Sequence, residues 1–307
     1  MSAARRRGTR GACRIMARAC AAALCLDSCV PRPGLTSLLR PAAGHEPLGF
    51  LGLTGLGYEA CLCACRLGLR RSRGWTRCWL RAVEEMLAAW GNTGLGSLWL
   101  LSLQAAGFGR AAVLGLEWRD WAVMGAALEA VELEGVEGAA RLYRGLSMAA
   151  PRYLGRISWA GLPDASSPWS SMEAWERRLG LAELVREAGL YDLVMRDSAE
   201  GLGLSLGYVL GALEEWAAEA GLVEAFGRAT LLAASLGDML VRRRSGVPRE
   251  AFREALGSPV AEARLWGMLR RGGGPGGAAD LAASAAARLL AKWLAGLVEL
   301  RSYPGWG

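Results

Sequence analysis

Apolar residues recur along this chain at three- and four-residue intervals, and glycine, proline and charged turns interrupt them. The first run covers Ala12 to Cys29 and stops at Pro31-Arg32-Pro33-Gly34. Each proline there removes an N–H donor and restricts the residue before it. Loop character continues to about Pro47. Helices are predicted from Thr54 to Leu69 and from Thr76 to Trp90, the second with Ala82, Met86, Leu87 and Trp90 on one face. A glycine-flanked loop follows, Gly91-Asn92-Thr93-Gly94-Leu95-Gly96, and Ser97 is placed to cap the next helix. The longest apolar stretch, Ser97 to Leu116, contains Gln104 and Arg110. It reads as a buried helix and turn rather than a membrane span.

Helical periodicity resumes at Trp118–Glu132 and Val136–Met148. Residues 151–170 hold Pro151, Pro163, Pro168 and several serines, and form the longest interior connection, a linker or a lid. Further helices are predicted at Ser171–Ala188, Asp192–Leu204, Gly207–Ala220 and Val223–Arg243. Pro248 opens another at its first position. The run Gly272 to Gly277 breaks the pattern, and a last helix extends from Ala278 to about Leu300. Residues 1–10, with Arg5-Arg6-Arg7, read as a disordered basic tail rather than a signal peptide. With no internal repeat or boundary, residues 11–303 are expected to form a single all-α, bundle-like domain.

Composition agrees with that class. The chain has 307 residues, 52 % of them apolar, with a mean hydropathy of +0.20, enough for a sizeable core. Ala, Leu, Gly, Arg and Glu dominate, whereas isoleucine occurs only at Ile15 and Ile157. That choice favours helices over strands. The net charge is +7, and Lys292 is the only lysine, so arginine carries nearly all the positive charge. GC-rich coding accounts for much of this. Arginine also suits phosphate and carboxylate. Acids are interspersed with the bases, so no nucleic-acid stripe stands out. Neither a nucleic-acid nor a membrane partner is expected. All eight cysteines lie between Cys13 and Cys78. Without a Cys-x-x-Cys knuckle they read as small core thiols, which fits a reducing cytoplasm.

The candidate chemistry lies at helix ends. Asn92 is the only asparagine and Gln104 the only glutamine. An amide offers donors and acceptors on one plane, and flanking glycines bring the backbone close to a ligand. Other segments pair a glycine or proline turn with a charged side chain: Asp27 to Gly34, Gly44-His45-Glu46, Tyr191 to Arg196, Asp238 to Gly246, and Gly274 to Asp280. Helix N-termini and arginines bind anions, and carboxylates hold Mg²⁺ whose shell phosphates complete. The same features also arise as ordinary helix caps.

In order, these segments resemble the triphosphoribosyl-dephospho-coenzyme-A synthase family. Its Pro-Lys-Pro-Gly is similar to Pro31-Arg32-Pro33-Gly34, and its Asn-Thr-x-x-Gly to Asn92-Thr93-Gly94-Leu95-Gly96. Its Asp-Leu-Val-Ala-Arg resembles Asp192 to Arg196. Its Pro-Asp-Thr-Leu-Ile-x-Arg-Lys-x-Gly resembles Gly237 to Gly246, and its late Asn-Pro-Gly-Thr-Thr-Ala-Asp resembles Gly274 to Asp280. The family's early acidic motif is thinned here to Gly44-His45-Glu46-Pro47-Leu48.

The resemblance implies a cytoplasmic transferase that takes ATP and dephospho-coenzyme A as substrates, uses Mg²⁺ and releases adenine. It implies Asp238, Asp280 and His45 as catalytic groups, and Glu46, Asp192 and Asp238 as metal ligands. Arg32, Gly34, Asn92, Thr93, Gly96, Arg196, Arg243, Arg244 and Gly276 are then the nucleotide and phosphate contacts. The alternatives are a diverged nucleotide-binding protein without catalysis and an arginine-driven contact with RNA or a membrane surface.

Overall fold

The computed structural model describes residues 3–38, 47–149, 161–238, 241, 245–269 and 274–300. Among them are thirteen α-helices and no strand. The helices are α1 Ala3–Cys29, α2 Pro47–Leu69, α3 Trp75–Ala89, α4 Leu95–Leu114, α5 Asp120–Ala149, α6 Ser170–Glu176 and α7 Leu181–Ala188. They continue with α8 Leu193–Ala199, α9 Leu210–Ala220, α10 Leu222–Ser235, α11 Arg249–Gly257, α12 Pro259–Met268 and α13 Gly276–Leu294. A π-turn, Ser205–Val209, leads into α9.

α4 lies at the centre, packed against α1, α2, α3, α5 and α13. Its sequence is apolar on every side, so it is buried on every side. By length and composition α2 and α4 are each able to cross a membrane, yet 89 % of the α4 window is covered by the protein's own helices. Trp75 and Trp79 of α3 meet Trp99 of α4, with ring centroids 4.7 and 4.9 Å apart and the rings inclined. Their indole N–H groups donate to Ala130 O, Leu95 O and Ser198 Oγ respectively, so three large rings are buried without an orphaned donor. α2 and α4 cross closely. A Cβ added at Gly68 would lie 2.2 Å from the Ala106 carbonyl oxygen, and one at Gly109 2.1 Å from that of Cys65.

α5 departs from its sequence pattern. It takes in both predicted helices, 118–132 and 136–148, and joins them through Gly135, whose backbone (φ 56°, ψ −148°) favours glycine. Next to it, the buried Glu134 turns onto the start of α3. Its carboxylate accepts from Gly74 N, Trp75 N (2.8 Å) and Thr76 Oγ1, and from Arg141 at 3.3 Å. A residue 59 positions downstream of the helix start thus does the work of a helix cap. Glu134→Ala removes the acceptor and leaves Arg141 and several buried donors behind. The expected loss is about 3 kcal/mol of stability, read as a lower denaturant midpoint.

Other boundaries also shifted. α1 starts at Ala3, so the basic N-terminal residues continue a helix instead of forming a tail. The predicted 171–188 helix splits around Arg178, which has φ 52°. The 192–204 helix ends at Ala199, because the Asp197 carboxylate accepts from Leu204 N, Ser205 N and Ser205 Oγ and starts the π-turn. Pro248 is the N-cap of α11 rather than its first residue. Pro259 takes that first position in α12, behind a Ser258 cap. The connection predicted at 151–170 is described only from residue 161 onward.

The cysteines correct the core-thiol expectation. Antiparallel packing brings Cys13 to Cys65 and Cys63 to Cys78, with Cα–Cα separations of 5.7 and 5.9 Å, and both pairs are disulfide-bonded. Cys20, Cys25, Cys29 and Cys61 are free thiols.

Candidate active site

Five helix-end segments meet at one end of the bundle. The first is the end of α1 and the turn after it. Arg32 is buried. Its guanidinium pairs with the Asp27 carboxylate at 2.7 Å, donates to Val30 O, Asp27 O and Thr230 Oγ1, and lies 5.0 Å over the Phe226 ring. All three of its nitrogens are engaged inside the fold. In this arrangement Arg32, the residue expected to contact phosphate, braces Asp27. Gly34, with φ 71°, lets the turn lie against Gly274; a Cβ at Gly34 would come within 2.8 Å of the Gly274 Cα.

The second segment is the Asn92 loop. It lies against the start of α2, where Trp90 covers Gly49 and Gly52 and Thr93 touches Gly49. The Thr93 hydroxyl is buried and has no hydrogen-bond partner among the described residues. Asn92 is half-buried. The helix after this loop begins at Leu95, two residues before the predicted cap. Ser97 is thus inside α4 and fully buried, and it does something else. Its hydroxyl donates to Asp280 Oδ1 at 2.5 Å, across 183 residues of sequence. Gly96 is where this contact demands glycine, because a Cβ there would lie 2.1 Å from Asp280 Oδ2.

The remaining segments bring acids. Asp192 precedes α8 and caps it, accepting from Met195 N at 2.9 Å. Asp238 is buried after α10 and accepts from Val241 N at 3.2 Å. Its Oδ2 lies 3.5 Å from where a Gly277 Cβ would be, at the start of α13. Gly276 opens that helix and is exposed, while Asp280 lies one turn in.

The carboxylates feel one another. Burial pushes the Asp192 carboxyl up to about 6, and repulsion from Asp238 adds to that. Burial also holds Asp280 well above the ordinary aspartate range. The Ser97 hydrogen bond opposes that shift, and Asp27, Asp192 and Asp238 reinforce it. Asp27, Asp192 and Asp238 thus all act on Asp280, and Asp27 is itself neutralised by Arg32. Among the described residues, no three acids, histidines or cysteines are spaced to grip a metal ion unaided.

Not every expected residue joins this group. Arg196 is on the outer face of α8, paired with Glu200 at 2.8 Å and apart from the aspartates. His45, Glu46, Arg243 and Arg244 lie outside the described residues. Two participants escaped the residue assignments made from sequence: Asp27, placed only as the start of a segment, and Ser97, taken for a cap.

A buried polar line continues from the site down α13. Ser284 accepts from Gln104 Nε2 through its carbonyl (3.0 Å) and donates to Ser205 Oγ (3.2 Å), which donates to Asp197 (2.7 Å). Arg288 then binds Asp120 at 2.5 Å, and Lys292 binds Asp120 and Glu214, both at 2.8 Å.

Raised carboxyl values carry a sign. Asp192 and Asp197, both pushed up to about 6 chiefly by burial, hold protons in the folded state that the unfolded chain releases near the ordinary aspartate value of 3.8. The stability they contribute is fully present below pH 3.8 and is lost as pH rises through about 6. Asp192→Asn keeps the cap acceptor and removes the charge. Its stability relative to the parent is expected to grow between pH 4 and 6.5, by on the order of 1–2 kcal/mol in urea titrations. A flat difference across that range contradicts this electrostatic account.

The family model described as ATP:dephospho-CoA triphosphoribosyl transferase matches residues 13–296. No curated protein and no solved structure matches the chain.

Proposed function

We propose, from the premise that this chain belongs to the ATP:dephospho-CoA triphosphoribosyl transferase family, that its aspartate cluster is where the transfer takes place. The family is one of transferases, with ATP and dephospho-CoA as its substrates. The observation that carries the proposal is the Ser97–Asp280 contact, with Asp27, Asp192 and Asp238 close enough to act on Asp280.

The proposed reaction is substitution at C1′ of the ATP ribose. The bond from C1′ to adenine breaks, and a bond forms from C1′ to the 2′-oxygen of dephospho-CoA. The hydroxyl proton passes to a carboxylate, and adenine leaves with the bonding pair and takes up a proton. Asp280 suits the proton acceptor. Its basicity is raised by burial and by its neighbours, and Ser97 and Gly96 fix its orientation. Positive charge that develops on the sugar is stabilised by the same carboxylates. Thr93, whose buried hydroxyl has no partner among the described residues, and Asn92 would hydrogen-bond the ribose or base.

Mg²⁺ belongs to this proposal. The donors are all hard oxygens, and Mg²⁺ on a nucleotide takes only one or two protein carboxylates and completes its shell with phosphate and water. Asp192 and Asp238 would hold it, and it would neutralise the triphosphate. A cytoplasmic setting also belongs to the proposal, and there the two cystine pairs would be expected as dithiols.

The test is incubation with ATP, Mg²⁺ and dephospho-CoA, with free adenine and the coupled product followed by mass spectrometry. Both are expected in equal amounts. ATP-induced thermal stabilisation without adenine would instead favour the binding-only alternative.

A further inference from the structure

A second feature lies outside the aspartate cluster and shares no residue with it. α3, α5 and α6 border an open cleft of about 670 Å³. Arg77 and Arg81 line it from α3, and Arg141 and Arg144 from α5. The acids on the lining are Glu84, paired with Arg144 at 2.7 Å, and Glu137, paired with Arg141 at 2.7 Å. On the lining itself four arginines face two glutamates, and the two acids just off it, Glu85 and Glu134, bring the local charge to balance. Arg81 also holds Glu85 at 3.0 Å on its own helix, and Arg141 reaches the buried Glu134. Arg77 enters no ion pair among the described residues, and its charge acts on Glu137.

Two properties make this more than a solvated helix face. The pairs to Glu84 and Glu85 are exposed, so exchanging them for a better anion costs little. Trp175 of α6 borders the cleft and is 52 % exposed, a large ring left beside guanidinium groups. Arginine forks match phosphate oxygens, and an open indole matches the face of a base. The volume is that of a small-molecule site.

We propose that this cleft is a second binding site, for a nucleoside polyphosphate, with the phosphates on Arg77 and Arg144 and the base against Trp175. It goes beyond the transferase reading, and its test reads binding rather than turnover. Equilibrium dialysis of the full-length protein against ATP in magnesium buffer is expected to give two bound nucleotides per chain. Arg77→Ser/Arg144→Ser should weaken one of them at least about tenfold, and Trp175→Ala should weaken the same one by a smaller factor. Asp238→Asn/Asp280→Asn should leave that site intact. A single bound ATP that survives the arginine replacement overturns the proposal, as does adenosine binding as tightly as ATP. So does binding of poly-glutamate, but not ATP, at these arginines, which would assign the cleft to an acidic polypeptide. If one ATP binds and only the arginine variant loses it, the cleft stands and the aspartate-cluster reading falls.

Discussion

Asp280→Asn should cut adenine release by about a thousandfold and at the same time make the protein more stable at neutral pH. The first effect follows from its role as proton acceptor, where a positioned base contributes about 10²–10⁴ in rate. An amide of the same shape accepts the Ser97 hydrogen bond but cannot take a proton. The second effect follows from the neighbours. Asp280 is desolvated and repelled by Asp27, Asp192 and Asp238, so removing its charge relieves the folded state. Turnover by chromatography of adenine and stability by urea titration decide the two parts separately. Ser97→Ala should lie between, with about a ten- to hundredfold loss, because it leaves the carboxylate in place but unsteered. Full activity in Asp280→Asn removes Asp280 from the chemistry. Lost activity with lost stability would mean that the substitution merely damaged the fold.

Gly109→Ala should destabilise the protein on the order of 3 kcal/mol, although it adds one methyl group. That methyl would lie 2.1 Å from the Cys65 carbonyl oxygen and 3.1 Å from the Cys65 Cα. These are backbone atoms of a facing helix, and no rotamer change moves them. α2 and α4 must separate, and α4 is the element every early helix packs on. The comparison is Gly211→Ala in α9, where nothing lies within 4 Å of the new Cβ. There alanine should be neutral or add about 0.5–1 kcal/mol through helix propensity. Denaturant midpoints of the two variants differing by less than the measurement error would refute the crossing as the cause.

The all-α class was legible because propensity and periodicity agree along most of the chain. α4 could be placed from its continuous apolar run, and the turn at Pro31-Arg32-Pro33-Gly34 from proline chemistry. The site was legible as separate pieces, since glycine turns beside charged residues are local signals. What joins the pieces is not local. Ser97 meets Asp280 across 183 residues, and a serine near a helix start looks like a cap whichever partner it finds. Arg32 looked available for phosphate because its sequence neighbours are prolines, while the side chain that claims it, Asp27, lies five residues back across the turn. Glu134 acts as a cap for a helix that begins 59 positions before it, which no window along the chain contains. Cystine pairing depends on which faces of α1, α2 and α3 touch, and alternating thiols do not reveal that.

The two cystines have a consequence of their own. Cys63 and Cys65 are two residues apart on α2, and one reaches back to α1 while the other reaches forward to α3. The strand of peptide from residue 13 to residue 78 is thereby stitched into two overlapping rings. With the bridges formed, a protease that nicks between these helices releases no fragment until a reductant is added. Gels run without and with thiol would therefore show the same digest as one band and as several, respectively.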